Sequence, residues 1–420
     1  MSVWKVTIVT LFVLLLWLLW PIYGFYSHYG KLPMLPYGWV HMSDDAPEVQ
    51  ELSDVQYQEA AKIAMAAIKE RRAAIDAPAM SAAVWVKDEV VWKAAVGWAD
   101  IKTQRPASVD TQFRIGSTSK AITATALARL VDQGVIDLDA PISTYFDEIP
   151  NVNWGDLTAR QLASHMAGVP HYEDVTDPIG LYRLASMKKH YRDVRDALDI
   201  FDESPLLFEP GTKFSYSSLG TVLLGATMSE AAEKPYRQII KEEVLLPAAM
   251  HSTIVAPKRA GKSSDLATFY YIGEQGHREW RPVDLSHRLP GGGFASTPSD
   301  LVRMGAKYFD NEYITPETRA AFWTPQKLSS GEVNEQNYAL GWRWREYEFD
   351  GIGLARNANH GGVSRGSQSW LIVFPDYEMA IAVNINSRTE EFFDFAKVYR
   401  DIFQAFATTY QIVENSSAIE

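Results

Sequence analysis

Three short segments carry residue types able to do chemistry together. In FRIGSTSKAITATALARL, Ser117 and Lys120 stand three apart where a strand-like run gives way to a helix, so both side chains share its first turn. A serine hydroxyl becomes a nucleophile when a base takes its proton, and a lysine can be that base if burial lowers its pKa. The helix N-terminus adds field that favours negative charge. Further on, PGTKFSYSSLGTVLLG sets Tyr216 before a Ser217-Ser218 pair suited to cap an apolar helix, where a tyrosine could relay protons. In NHGGVSRGSQSWLIVF, His360 precedes Gly361 and Gly362 just before a strand. Glycine lets a backbone N–H approach a substrate closely, which is half of an oxyanion hole.

Each signal has a plainer reading when taken singly. Ser186 and Lys189 repeat the S-x-x-K spacing in LASMKKHYRD, where a solvated charged helix is expected. Tyr216 alone reads as a tyrosine packed at a helix start, and His360 with its glycines as a hairpin or bulge. Gly362-Val363-Ser364-Arg365-Gly366 fits the G-x-S-x-G elbow of α/β-hydrolases, whose triad order requires a later histidine, and none follows His360. His165 and His171 in SHMAGVPHYED match no zinc signature and have no carboxylate at helical spacing, so a loop role is expected.

The surrounding pattern supplies elements to hold these groups. Ile122, Ala126 and Leu130, with Leu127 and Val131, give the helix after Ser117 a buried stripe, and Gly134 offers a C-cap. Residues 57–75 have helical composition, and SAAVWV with VVWKAAVGW reads as a hairpin around Lys87 and Asp88. Helical patterns dominate residues 118–250. Strand patterns return in SQSWLIVFP and EMAIAVNIN, and EEFFDFAKVYRDIFQAFA closes the chain as a helix. The order predicts an α+β fold whose first and last strands share one sheet.

Composition narrows the partners. The net charge of -12 and the lack of a dense Lys/Arg run argue against nucleic acid. The absence of cysteine removes thiol nucleophiles, disulfides and Cys-ligated metals. Val6 to Tyr26 is a 21-residue stretch without charge, about enough at 1.5 Å per residue to cross a bilayer core, with Trp17, Trp20 and Tyr23 suited to its interface. No A-x-A site follows in PIYGFYSHYGKLP, which favours an uncleaved anchor over a signal peptide. The loop charges place the N-terminus in the cytoplasm and the body outside it, on the periplasmic side in a bacterium. The expected division is an anchor or signal at 1–30, a linker at 31–52 and one hydrolase domain at 53–415. Its sheet part is 53–117 with 285–415, and its helical part 118–284.

Taken in order, the three segments resemble the serine β-lactamase and penicillin-binding-protein superfamily, in the branch of class C β-lactamases, D,D-carboxypeptidases, D-aminopeptidases and related esterases. VGWADIKTQRPASVDTQFRIGSTSK, LTARQLASHMAGVP, FEPGTKFSYSSLGTVLLG and GGGFASTPSDLVRMG carry the likeness. SHMAGVPHYED and DLATFYYIGEQGHREWRPVDLSHRLPGGGFAST look most like the mitochondrial serine β-lactamase-like branch and its bacterial relatives. The resemblance implies a β-lactamase/transpeptidase-like fold, an antiparallel sheet flanked by helices with a helical subdomain, and no cofactor or metal. It implies an acyl-enzyme at Ser117, proton handling by Lys120 and Tyr216, and an oxyanion hole from the N–H groups of Ser117 and Val363. Ser218, His360, Gly361 and Gly362 would border the substrate. Ser218 stands where the family usually has asparagine, and His360 where many penicillin-recognising members have lysine. A short hydroxyl and a mostly neutral imidazole are poorer partners for a β-lactam carboxylate. The expected substrate is therefore a peptide, amide or ester. The alternatives are a membrane-tethered, non-catalytic scaffold or binding protein, and a true β-lactamase.

Overall fold

Two late apolar runs form strands whose successive side chains enter different cores, as the two-residue period of a strand requires. The computed structural model describes residues 3–43, 45–260 and 265–417. Its strands are β1 (Trp39–Val40), β2 (Glu48–Leu52), β3 (Ala79–Val86), β4 (Glu89–Asp100), β5 (Arg105–Pro106), β6 (Phe113–Arg114) and β7 (Ile254–Val255). They continue with β8 (Tyr270–Gly273), β9 (Gly276–Glu279), β10 (Phe294–Ser296), β11 (Arg343–Phe349), β12 (Gly353–Ser364), β13 (Ser367–Phe374) and β14 (Met379–Ile385). An antiparallel sheet runs β11-β12-β13-β14-β3-β4-β2, with β5 paired to β4. Its central seam joins the two ends of the chain, Met379 opposite Val86 and Ile385 opposite Met80.

On β13 and β14, Leu371, Val373, Ala380 and Ala382 enter the core beneath the helical layer. Ile372, Phe374, Ile381 and Val383 enter the opposite one. That opposite core is covered by helix α2 (Gln58–Ala74) and by the helix Val398–Ser417, where Phe403 stacks on Phe374 at 3.8 Å between centroids. The first face carries small residues because the helix Pro298–Ala306 lies close to it: a Cβ on Gly305 would sit 2.8 Å from Val373 and 3.4 Å from Ala380. The closing segment breaks into Phe393–Ala396 and Val398–Ser417 rather than forming one helix.

The helical layer contains α3 (Ser119–Asp132) and the helices Pro178–Ser186 and Ser218–Ala231. The stretch 118–284 also contributes strands, since β8 and β9 form a small sheet with β1, and β7 pairs with β10, which pairs in turn with β6. The expected linker at 31–52 is structured: Trp39 pairs with Arg278, and Glu48–Leu52 pairs with β4 as an edge of the main sheet. Backbone pairing at an exposed edge needs no alternation of polar and apolar residues, so these strands left no pattern to read.

Helix α1 (Val3–His28) is long and apolar enough to cross a membrane, and fits either a signal sequence or a single anchor. Every residue from Val3 to Trp20 is exposed. From Pro21 onward the helix packs on the body, with His28 against Trp280 at 4.8 Å between rings.

Candidate active site

Strand β6 delivers the chain into a tight turn, Gly116–Thr118, from which α3 departs. Gly116 adopts φ +51, and a Cβ there would lie 2.5 Å from the Val363 backbone. A Cβ on Gly362 would lie 1.8 Å from the Ile115 carbonyl oxygen. Two glycines thus let β12 press against the turn that carries Ser117. β11 pairs with β12 only as far as Asn359, which frees the 360–364 edge for this contact. α3 is buried nearly all round rather than along one stripe, and Gly134 takes the left-handed φ of +70 just beyond its end.

Lys120 is 2% exposed. Its Nζ donates to Ser218 Oγ at 2.9 Å and to the Gly291 carbonyl at 2.8 Å, and lies 3.4 Å from Ser117 Oγ. Burial, reinforced by Arg343 and Arg288, lowers its pKa from 10.5 to about 7. A neutral amine has two N–H donors and one lone pair. With Ser218 and Gly291 taking the donors, the lone pair remains for the Ser117 hydroxyl proton.

Tyr216 lies across the same space, its ring 4.7 Å from Lys120 Nζ. Burial raises its pKa, while the Arg343 charge and a hydrogen bond with Ser117 work against that rise. The next residue, Ser217, caps the helix Ser218–Ala231 by accepting the Gly220 N–H at 2.8 Å. Two histidines fix this entry. His165 Nδ1 accepts from the Ser217 N–H at 3.3 Å, and His171 Nδ1 accepts from the Ser218 N–H at 3.1 Å. Burial first, then Lys120, lowers both pKa values, that of His171 to about 3, so both rings stay neutral acceptors. Among the described residues no cluster of metal-binding side chains forms around them.

His360 does not reach the cleft, contrary to the role expected for it as a substrate contact. It is fully buried, its Nδ1 2.8 Å from the Gly361 carbonyl and its Nε2 2.9 Å from Tyr338 Oη. A carbonyl can only accept, so Nδ1 carries the proton and Nε2 accepts from the tyrosine. Tyr338 packs tilted against His165 at 4.6 Å between rings, which ties β12 to the Tyr216 segment.

Ser117, Tyr216 and Val363 border two cavities at once, one of about 780 Å³ and one of about 360 Å³. Ser218, His171, Arg288 and Gly291 line the larger, and Arg343, Asn359 and Gly361 the smaller. A bond held at Ser117 would have room on both sides. Sequence spacing offered no route to Arg288, Arg343 or Tyr338, which come from separate loops and the edge strand. The decoys fall elsewhere: Ser364 pairs with Ser367 across the tight β12–β13 hairpin, with no helix following. Ser186 ends its helix, and Lys189, beyond it in irregular chain, pairs with Asp199.

A family model described as Beta-lactamase matches residues 65–405. The chain belongs to the beta-lactamase family. Relatives include the mitochondrial serine beta-lactamase-like protein LACTB of Homo sapiens, 26% identical over 72% of this chain and 70% of that protein. Penicillin-binding protein 4* of Bacillus subtilis is 24% identical over 78% of this chain and 72% of its own length. Among solved structures, the D-amino acid amidase from Ochrobactrum anthropi SV3 shares the fold with a TM-score of 0.67. It is 21% identical, and the match covers 83% of this chain and 99% of the amidase. This beta-lactamase-family chain therefore has the β-lactamase/transpeptidase-like α+β fold, and family members include peptidases and amidases.

Proposed function

We propose that the protein is a serine hydrolase that forms an acyl-enzyme at Ser117 from a peptide, amide or ester. The observation that carries this reading is the environment of Lys120: a buried amine with a pKa of about 7, its donors engaged and its lone pair free for Ser117. Near neutral pH about half of such a lysine is unprotonated, enough for a general base.

Lys120 takes the Ser117 proton as Oγ attacks the acyl carbonyl. The N–H groups of Ser117 and Val363, whose backbone lies against the Gly116–Thr118 turn, would hold the resulting oxyanion. Tyr216, its hydroxyl kept neutral and beside Ser117, passes a proton to the departing amine or alcohol. Water then attacks the acyl-enzyme with the same groups acting in reverse. Ser218 holds Lys120 rather than offering an amide to substrate, which supports an ester or amide over a β-lactam.

A fluorophosphonate probe should label the intact protein and fail to label Ser117→Ala. A panel of short esters, D-amino-acid amides and nitrocefin would then rank the substrates. Labelling that survives the substitution removes Ser117 from this role, and turnover of nitrocefin above the esters would favour a β-lactamase instead.

A further inference from the structure

The wall of the larger cavity is built partly from the helix that this protein would place in a membrane. Ile22, Phe25 and Tyr26 of α1 line the same cavity as Ser117, as do Pro178, Leu181 and Tyr182 of the helix packed beside α1. The exposed part of α1, Val3 to Trp20, is 18 residues, or about 27 Å at 1.5 Å each, close to a bilayer's apolar thickness. Burial of the helix against the body starts at Pro21, where that span ends. Lys188 of the body reaches back to Trp17, its Nζ 4.9 Å from the ring centre, an aromatic–cation contact suited to the membrane interface.

The same cavity is cationic. Among the described residues, Lys31, Arg288, Arg365 and Arg388 line it, against one carboxylate, that of Glu173. Arg365 is only 8% exposed and donates to Tyr29 Oη at the end of α1. Among the described residues its buried Nε has no hydrogen-bond partner, its guanidinium lies 5.4 Å from the Phe25 ring centre and 5.0 Å from that of Tyr29, and the charge that acts on it is the like charge of Arg388. A buried guanidinium that lines a cavity beside aromatic rings and a second arginine, rather than a carboxylate, favours an anionic group there.

We infer that the cleft takes an anionic amphiphile, an ester or amide whose apolar chain runs from the bilayer along the cavity wall that α1 and the helix Pro178–Ser186 build together, with its anionic group at Arg365 and Arg388. This rests on the acyl-enzyme reading above. Ser117 Oγ bonds to the acyl carbon, the C–O or C–N bond breaks, and the leaving group departs with the proton that Ser117 gave up. Water then releases the acid. The anchor so becomes part of the specificity pocket, and the substrate need not leave the membrane to react.

The test uses the full chain reconstituted in phosphatidylcholine vesicles, labelled with a dodecyl and an ethyl fluorophosphonate. The dodecyl probe should label roughly a hundredfold faster, and Leu181→Glu should cut that ratio roughly tenfold. Dodecyl phosphate should protect Ser117 better than dodecyl maltoside does, and Arg388→Gln should shrink the difference. Leu181 is already part-exposed, and thermal melts check that the variants fold. Equal rates for the two probes, or a ratio indifferent to Leu181→Glu, overturn the apolar path while leaving the hydrolase intact. Equal protection by both detergents overturns the anion site. No labelling by either probe overturns the hydrolase reading and this inference together.

Discussion

Lys120 meets two hydroxyls and a carbonyl but no carboxylate, so burying it costs the folded state whenever it is charged. With a folded pKa of about 7 and an ordinary value of 10.5, the folded protein binds fewer protons than the unfolded chain between those limits. Stability contributed by this group therefore rises with pH above about 7, and the penalty is fully present below it. Wild type should gain on Lys120→Met by about 1.4 kcal/mol per pH unit between pH 7 and 9 in urea titrations. Fluorophosphonate labelling of wild type should climb through an apparent pKa near 7 to a plateau, a value that belongs to Lys120, Ser117 and Tyr216 jointly. Identical pH slopes for the two proteins would mean that Lys120 titrates normally. Ser117, Lys120 and Tyr216 were legible because the first two share a helical turn and the third precedes a cap. His165 and His171 were visible as residues but not as supports, since what they do is accept N–H groups from a segment about fifty positions away. His360 was misplaced because its sequence neighbours point to a cleft while its ring turns into the core.

At the scale of elements, the site depends on how closely β12 can lie on the Gly116–Thr118 turn. Adding one methyl at Gly362 would drive a carbon to 1.8 Å from the Ile115 oxygen, so the strand and the turn must part. Gly362→Ala should lose about 1–3 kcal/mol of stability and slow probe labelling roughly a hundredfold, because Val363 would leave its place beside Ser117. Labelling within a few-fold of wild type would show that the strand position does not matter. The hairpin β3–β4 and the strands β13 and β14 could be read from their apolar runs, since burial on both faces demands such runs. The edge strand β2 could not, because four of its five residues are exposed.

At the scale of the whole molecule, apolar composition announced α1, but its packing against the cleft had no signature in any single segment. If α1 stays attached, the full chain remains in the membrane pellet after an alkaline carbonate wash. Recovery of a soluble chain shortened by roughly 25 residues would mean that it is a cleaved signal instead. The central seam of the sheet has a further consequence, for synthesis. β3 pairs with β14, which follows it by nearly three hundred residues. At 5–20 residues per second the ribosome needs on the order of 15–60 s to supply that partner. Throughout that interval the nascent chain holds a finished hairpin with one open apolar edge, and the turn that carries Ser117 has no β12 to lean on. Fluorophosphonate labelling at Ser117 should therefore appear only after the last strands emerge, and a chain that stops short of Met379 leaves that edge free to pair with other chains.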